Sequence, residues 1–263
     1  MRILFVGDVF GAVGRRILAH HLASLIDEQG IDICIANGEN AAGGKGITLN
    51  ILRKFFRYGV HVVTGGNHSF ASQEATAALD SDDRVLRPYN FPPGNSGHGF
   101  TVFRGASGAD AAVLNLQGRT FFGETLECPF RCADQALEQI APRAAVVIVD
   151  FHCEATSEKK ALLYHLDGRV SAVLGTHTHV QTADEQVSDR GTAYISDVGM
   201  TGPERSCIGM RADGVIRKFL LQTYVRFEPA EEGPVINAVV LDIDERTGEA
   251  RSISRINRRV DIP

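Results

Sequence analysis

Side chains that can bind a metal ion stand directly after five short apolar segments of the sequence. In chain order they are Asp8 after residues 2–6, Glu39 and Asn40 after 31–36, Asn67 and His68 after 60–64, His152 after 145–149, and His177 and His179 after 171–174. Each residue alone has an ordinary explanation, as a turn former or a hydrogen-bonded core group. Their recurrence after all five segments is harder to explain by packing, because buried polar groups require partners. A metal centre would provide those partners.

The donor atoms are oxygen and nitrogen, including three imidazoles and two carboxylates. This set suits manganese, iron or zinc better than a metal that prefers thiolates. In an extended segment His177 and His179 would point to the same side, so the two rings could serve two ions. With about seven ligands a two-metal centre is more natural than a single ion, and paired ions roughly 3.5–4 Å apart are the usual device for hydrolysing phosphate esters. Such a site would be positively charged and would attract phosphate.

The scaffold must bring these strand ends together. Through the first two thirds of the chain short apolar runs alternate with helical periods, which is typical of parallel βα units. The spacing predicts helices over about 13–26, after Thr48 as N-cap, near 72–79 and near 133–141, and a fifth capped by Ser157. In open α/β sheets the loops after the strands converge at one edge, so we expect the polar groups to meet there.

The remaining segments predict a turn-rich connection and either a second sheet or an antiparallel extension of the first. Residues 87–108 are rich in Pro and Gly, and a long loop of this kind is often a lid or a binding segment. Residues 193–196, 223–227, 235–242 and 250–256 resemble strands without long helices between them. No linker or repeat forces a boundary, so we expect one domain over 1–263.

Three other motifs are incomplete. Val9 interrupts a dinucleotide fingerprint at Gly7, Gly11 and Gly14, and the phosphate-loop pattern fails around Lys45. Ser107 lacks the second glycine and the preceding strand of a nucleophile elbow. These patterns argue against a dinucleotide enzyme, a P-loop protein and a serine hydrolase.

Composition limits the partners and the compartment. The chain of 263 residues has 27 Lys and Arg against 32 Asp and Glu, so its net charge is 27 − 32 = −5, and no basic stripe suited to long nucleic acid is visible. The Arg cluster at 251–259 is read as the solvated face of a last strand. Five Cys without a C-x-x-C pair fit reduced thiols, and no apolar run approaches membrane length. We expect a soluble cytoplasmic protein without membrane contact, with a homo-oligomer left open.

The order of the polar motifs resembles that of the calcineurin-like metallophosphoesterases, which read D-x-H, G-D, G-N-H, H and G-H-x-H. The matching segments are Gly7-Asp8-Val9-Phe10, Gly38-Glu39-Asn40, Gly66-Asn67-His68, Asp150-Phe151-His152 and Gly175-Thr176-His177-Thr178-His179. Phe10 replaces the first-motif His, and Glu39 with Asn40 replaces the usual Asp. These departures, with the segments 2–8 and 196–203, make the chain similar to the YmdB-type bacterial branch.

The resemblance implies a fold and a metal centre. The fold is α/β, a four-layer α/β/β/α sandwich of two mixed sheets, and the cofactors are two ions, iron or manganese, with zinc as an alternative. Asp8, Glu39, Asn40 and His179 would hold one ion, and Glu39, Asn67, His152 and His177 the other. Glu39 would bridge them, and Asn40 would fill the place of the missing first-motif His.

The resemblance also implies an activity, the hydrolysis of 2′,3′- or 3′,5′-cyclic mononucleotides. A hydroxide that bridges both ions would attack phosphorus, and His68 would protonate the leaving ribose oxygen. The alternative for His68 is a structural role, orienting Asn67. No substrate-binding residue is assigned, although His98 in the long connection could reach a substrate.

Two other functions remain open at this point. The same scaffold could serve a nuclease or a phosphomonoesterase, because a fold does not determine a substrate. The chain could also be a metal-loaded regulatory protein with little turnover. A substrate assay on metal-analysed protein separates these alternatives.

Overall fold

The strands of this protein form two sheets that pack face to face. The computed structural model describes residues 1–263. The strands are β1 (Arg2–Val6), β2 (Asp8–Val9), β3 (Ile33–Asn37), β4 (Val62–Thr64), β5 (Phe100–Arg104), β6 (Asp110–Gln117), β7 (Val146–His152), β8 (Ala172–Thr176), β9 (Gln186–Val187), β10 (Ala193–Ile195), β11 (Met200–Pro203), β12 (Pro234–Ile243) and β13 (Ala250–Arg259). The helices are α1 (Gly11–Gln29), α2 (Leu49–Tyr58), α3 (Gln73–Leu79), α4 (Pro129–Ile140), α5 (Thr156–Leu166) and α6 (Ala212–Leu221).

Both sheets mix parallel and antiparallel pairs. The first has the order β2-β11-β12-β1-β3-β4, with β13 on the far side of β12. Here β1, β3 and β4 are parallel, and β12 is antiparallel to β1. The second has the order β5-β6-β7-β8-β10-β9, in which β6, β7, β8 and β10 are parallel. The predicted mixed α/β architecture is confirmed.

The alternation of side chains along each strand produces four layers. In β1, Leu4 and Val6 pack with the apolar faces of α1 and α2, whereas Ile3 and Phe5 lie in the core between the sheets. In β7, Val147 and Val149 face the cluster that contains α4 and α5. The opposite face of β7 starts in the inter-sheet core and ends with polar residues. Helices therefore cover both outer faces, and the central layer is shared by the two sheets.

The element predictions were accurate where apolar periodicity is strong. Thr48 accepts a hydrogen bond from Ile51 N and begins α2, as expected. Two predictions were wrong. The fifth helix begins at Thr156 after Ala155, so Ser157 is inside it rather than its cap, and residues 223–227 are not a strand. Helix α6 was not predicted, because its apolar residues do not face a core.

Two further observations bear on partners. None of the six helices has the length and apolar character needed to cross a membrane. The arginines of β13 all pair with acids: Arg251 with Asp242 and Asp244, Arg255 with Glu185, Arg258 with Glu28 and Arg259 with Glu204. The charges of these arginines are neutralised by ion pairs within the chain, so little positive charge is left for a polyanion.

Two backbone crossings lie close to the strand ends that carry the polar motifs. A Cβ at Gly7 would stand 1.9 Å from the carbonyl oxygen of Gly199, and a Cβ at Gly175 would stand 1.8 Å from that of Ser196. Backbone atoms cannot yield as a flexible side chain can. Only glycine therefore permits the segment after β10 to pass so near to β1 and β8.

Substitution Gly7→Ala is expected to lower the free energy of unfolding by about 2–4 kcal/mol, because the added methyl forces the two backbones apart. Urea denaturation of the metal-free protein measures this change. Gly123→Ala is the matched control, since a Cβ there meets nothing within 4 Å. An equal effect of the two substitutions would contradict the crossing as a constraint.

Candidate metal centre

The metal-binding candidates come from both sheets. Asp8 lies in β2, Glu39 and Asn40 follow β3, and Asn67 and His68 follow β4 of the first sheet; His152 ends β7, and His177 and His179 follow β8 of the second. From the strand pattern alone these residues were expected at one edge of an open sheet. The structure places the residues instead where the ends of two facing sheets meet, so each sheet supplies part of the set.

All eight residues belong to one connected cluster. The contacts run from Asp8 Oδ1 to His179 Nε2 (3.8 Å), His179 Nε2 to Asn40 Oδ1 (3.2 Å), Asn40 Nδ2 to His68 Nδ1 (3.2 Å), His68 Nδ1 to Glu39 Oε1 (3.3 Å), Glu39 Oε1 to His152 Nε2 (3.2 Å), and His152 Nε2 to both Asn67 Oδ1 (2.9 Å) and His177 Nδ1 (3.1 Å). Within it, ligand atoms of Glu39, His152 and His177 lie within 4.8 Å of one another.

Hydrogen bonds on the outer side of the cluster orient two of the imidazoles. His179 Nδ1 lies 2.8 Å from the carbonyl oxygen of Ile208, which can only accept, so Nδ1 carries the proton. His177 Nε2 lies 3.0 Å from the Glu154 carboxylate, so there Nε2 carries it. In each neutral ring the other nitrogen is left with a lone pair that faces the cluster. Partners of this kind are usual around metal-ligating histidines.

The third imidazole is oriented by a buried carboxylate. Asp150 Oδ1 accepts from the hydroxyl of Thr176 (2.7 Å), whose only proton is thereby used. Thr176 Oγ1 must then accept from His152 Nδ1 (2.9 Å), which leaves the lone pair of the neutral ring on Nε2, directed into the cluster. Asp150 Oδ2 accepts from Asn37 Nδ2 and from Thr64 Oγ1 of the first sheet. One carboxylate therefore joins the two sheets and orients His152.

The segment that carries His177 and His179 is not extended. Both residues have positive φ, 102° and 67°, so the reason given for their common direction was wrong. The left-handed backbone turns the two rings toward the cluster instead. Such conformations cost of the order of 1–3 kcal/mol each in non-glycine residues and persist only where surrounding contacts enforce them.

A buried ion pair enforces the conformation of this segment. Lys159 Nζ donates to the Thr176 carbonyl (3.0 Å) and to Asp197 Oδ2 (2.9 Å). The same Oδ2 accepts from Thr178 N, while Oδ1 accepts from Gly199 N. Both side chains are almost fully buried, so the bonds are made without competition from water. Nothing in the sequence pattern indicated Lys159 or Asp197, because they belong to elements far apart in the chain.

The donor set fits a cation. His152 Nε2 has three polar atoms within 3.2 Å, from Glu39, Asn67 and His177, and a single ring nitrogen can satisfy only one of them. Asp8 Oδ1 is buried without any hydrogen-bond partner. Buried oxygens and lone pairs that converge without donors repel one another unless positive charge lies between them.

The pKa values of the buried groups also indicate that a positive charge in the cluster is stabilised. Burial lowers the pKa of His152, but the carboxylates of Glu39, Asp8 and Asp150 outweigh it and raise that pKa to about 9. Burial and the neighbouring His152 lower the pKa of His177 to about 3. Burial raises the pKa of Asp8. In the metal-free chain a proton on His152 therefore supplies the charge that a metal ion would supply.

Neighbouring residues complete the description of the cluster. Phe10, at the place of the missing first-motif His, is buried with its ring 5.7 Å from the ring of His179. The ring of Phe122 lies 4.8 Å from that of His177. Cys153 points away from the cluster into the helix-covered core, where burial raises its thiol pKa. His98 pairs with Asp83 and lies outside the cluster.

The chain is similar to known proteins along nearly its whole length. A family model described as YmdB-like protein matches residues 4–256. A protein of Bacillus subtilis (strain 168) named 2′,3′-cyclic-nucleotide 2′-phosphodiesterase is 45% identical over 256 residues, which cover 97% of this chain and 96% of the relative.

Two solved structures share the fold over nearly their full lengths. A crystal structure of a hypothetical protein from Thermus thermophilus has a TM-score of 0.92 and 40% identity, with all of both chains covered. A crystal structure entitled a novel phosphatase, from Mycoplasma pneumoniae, has a TM-score of 0.93 and 33% identity, covering all of this chain and 95% of that one.

Metal titration tests the fit directly. Chelator-treated protein is expected to bind two Mn²⁺ ions per chain in isothermal titration calorimetry, and Glu39→Gln to weaken the binding at least about 100-fold, because it removes the carboxylate that is expected to bridge the two ions. Asp134→Asn is the control, since that half-exposed carboxylate pairs with Arg169 outside the cluster. Fewer than one ion per well-loaded wild-type chain would contradict a two-metal centre.

Proposed function

The chain belongs to the YmdB-like protein family, and on that premise we propose that it is a metal-dependent phosphodiesterase that hydrolyses cyclic mononucleotides. The 2′,3′-cyclic class is the first candidate, because a relative 45% identical over almost the whole chain is named for it. The 3′,5′-cyclic class is the second. The observation that carries the proposal is the single contact cluster, where the ends of the two sheets meet, that contains three imidazoles and the buried carboxylates of Asp8 and Glu39.

The proposed ligands divide into two groups that share Glu39. Asp8, Asn40 and His179 contact one another on one side, and Asn67, His152 and His177 on the other. Iron or manganese suits these oxygen and nitrogen donors. When bound, such ions stabilise the charge that develops on the phosphoryl oxygens and lower the pKa of a water molecule to near neutrality. The chain's own part is to orient the donors and to keep the ring protons on the outer nitrogens, so that the inner lone pairs stay free.

His68 is proposed as the proton donor to the leaving oxygen. Its side chain is partly exposed, whereas the ligands Glu39 and His152 are buried. Its Nδ1 lies 3.2 Å from Asn40 Nδ2 and 3.3 Å from Glu39 Oε1, so the ring is held by both side chains. The backbone N–H of His68 donates to Glu39 Oε2 (3.0 Å), which fixes the residue against the cluster. An imidazole held in this way can act as a general acid toward the leaving oxygen.

The segment 87–108 is proposed to form one wall of the substrate site. The Asn90 side chain accepts from the backbone N–H of Gln117 and donates to its carbonyl, beside His152 in the sheet. The ring of Phe91 packs on that of Phe70, two residues after His68. These contacts hold the segment against the strand ends. The inter-sheet core that both sheets share supports treating 1–263 as one domain.

A substrate panel tests the proposed activity. Manganese-loaded and iron-loaded protein are expected to hydrolyse 2′,3′-cyclic AMP at least about 100-fold faster, in kcat/KM, than a short single-stranded RNA, because the arginine cluster of β13 is already paired with acids. The assay compares that substrate with 3′,5′-cyclic AMP, the RNA and a phosphomonoester. Preference for the monoester would favour a phosphatase, preference for RNA a nuclease, and no turnover a binding role.

Substitution of His68 separates proton donation from metal binding. His68→Ala is expected to lower kcat for 2′,3′-cyclic AMP about 10²–10⁴-fold, because the ribose oxygen then leaves without a proton. Bis(p-nitrophenyl) phosphate should be much less affected, since its leaving group is stable as an anion. Metal content per chain, measured by mass spectrometry, should be unchanged. An equal loss on both substrates, or a loss of metal, would assign His68 a structural role in positioning Asn67.

His165→Ala is the matched control for that measurement. His165 contacts the Asp134 carboxylate on the helical side of the second sheet, outside the cluster. Its removal should leave kcat on both substrates within about twofold, since His165 contacts neither a proposed ligand nor a residue that orients one.

A further inference from the structure

The loop of residues 118–128 joins β6 to α4 and lies beside the candidate metal centre. It starts at Gly118, whose N–H donates to the carbonyl of His152 (2.9 Å), one of the proposed ligands. Residues 119–125 are exposed with one exception, Phe122, which is partly buried. Phe122 is therefore the side chain through which the outer part of the loop contacts the rest of the protein.

The ring of Phe122 packs on imidazoles and not in a hydrophobic core. Its centroid lies 4.8 Å from that of His177 and 6.3 Å from that of His152. Phe122 is absent from all three hydrophobic cores and from the apolar side chains that pack against them. The core packing that usually explains a phenylalanine is therefore missing at this position.

The Phe122 ring is not needed to orient His177. The Nε2 atom of that imidazole lies 3.0 Å from the Glu154 carboxylate, and its Nδ1 atom lies 3.1 Å from His152 Nε2. Polar contacts on both ring nitrogens already determine the direction of the imidazole. The contact with Phe122 therefore places an aromatic surface beside a proposed ligand, and part of that surface stays accessible.

Hydrogen bonds hold the loop at both ends. At its start the Glu158 carboxylate accepts from Arg119 N (3.0 Å) and Thr120 N (3.1 Å). At its end the Asn90 side chain donates to the Glu127 carbonyl (3.1 Å), and the Asn90 carbonyl accepts from Glu127 N (3.0 Å). Asn90 belongs to the proposed first wall of the substrate site, so the loop is tied to that wall. A loop ordered before binding loses less entropy when a ligand binds.

The chemistry and the position of the ring identify the group that it would bind. An uncharged aromatic side chain stacks on a nucleobase, whichever base it is, because every base has a π face. In a 2′,3′-cyclic nucleotide the base and the phosphate are carried by neighbouring carbons of one ribose, so a base must lie close to the ions that bind its phosphate. The other ring beside a proposed ligand, that of Phe10, is only 2% exposed and is closed to a base.

We propose that Phe122 determines specificity by stacking on the base of the substrate, and that residues 118–128 form the second wall of the site. This inference rests on the proposed hydrolysis of cyclic nucleotides and adds the residue that recognises the nucleoside part of the substrate.

A substrate without a base tests the role of the ring. In manganese-loaded protein Phe122→Ala is expected to raise KM for 2′,3′-cyclic AMP about 5–100-fold and to change kcat much less, because stacking is lost while the reacting ester is held as before. Methyl riboside 2′,3′-cyclic phosphate has the same ester and no base, so its kcat/KM should fall less than about twofold. Phe122→Tyr keeps the ring and should restore the wild-type KM for the nucleotide.

Phe130→Ala is the matched control. Phe130 is also a partly buried phenylalanine beside an imidazole, since its ring lies 5.5 Å from that of His165, but this pair is outside the cluster. Its removal should leave KM for both substrates unchanged. An equal loss on both substrates in Phe122→Ala, or a loss of bound metal measured by mass spectrometry, would overturn the proposal and assign the ring to the support of His177.

A binding measurement separates this proposal from the proposed activity. The chain has no Trp, so Phe122→Trp introduces a single fluorescent reporter at the loop. In zinc-loaded protein 3′-AMP is expected to quench this fluorescence by stacking, whereas inorganic phosphate should not. Phe130→Trp should respond to neither compound.

The two measurements together distinguish the possible failures. Quenching by 3′-AMP without hydrolysis of any cyclic nucleotide would support the base-binding role of this position and contradict the phosphodiesterase activity. Hydrolysis of 2′,3′-cyclic AMP with an unchanged KM in Phe122→Ala, and no quenching in Phe122→Trp, would overturn the base-binding role and leave the activity intact.

Discussion

The candidate metal centre depends on one buried carboxylate, that of Asp150. It is fully buried between the sheets, where an ionised group is costly unless its oxygens receive hydrogen bonds. Asn37 and Thr64 provide such bonds from the first sheet, and Thr176 provides one from the second. Even so, burial raises the pKa of Asp150 to about 6. Since the donors come from both sheets, the carboxylate is satisfied only when the sheets are in one relative register, and that register is the one in which the proposed ligands meet.

The same physical reasoning explains which parts of the site follow from the sequence. Residue type and order were enough to select all eight members of the cluster, because each lies at or just beyond the end of a buried apolar run, and such runs can be located in the sequence. The i, i+2 alternation in β7 also places Asp150 on the face of His152, a signal that was present but not used. The division of the strands between two sheets depends on the long return of β12 beside β1, which is a non-local pairing without a local pattern.

Other features could not have been found from local patterns. The left-handed backbone of His177 and His179 is held by Lys159 and Asp197, which are 38 residues apart in sequence. A positive φ is uncommon in any residue other than glycine, so local preference gives no reason to expect it at both histidines. Helix α6 was not predicted from the sequence. None of its residues is buried, so its apolar side chains belong to no hydrophobic core of the chain. The segment 223–227 was wrongly predicted as a strand because it is rich in β-branched and aromatic residues. In the structure these side chains are exposed or turned toward α6.

The segment between β11 and α6 contacts the candidate metal centre. The carbonyl of Ile208 that fixes the proton of His179 belongs to this segment, and Ile208 itself has a positive φ of 47°. The next residue, Gly209, lies against the ring of Phe10: a Cβ there would stand 2.6 Å from that ring. Phe10 in turn packs against His179. A displacement of residues 208–209 would therefore remove the hydrogen-bond acceptor of His179 and disturb the Phe10 ring that packs against it. The orientation of the His179 ring thus depends on the position of the segment between β11 and α6.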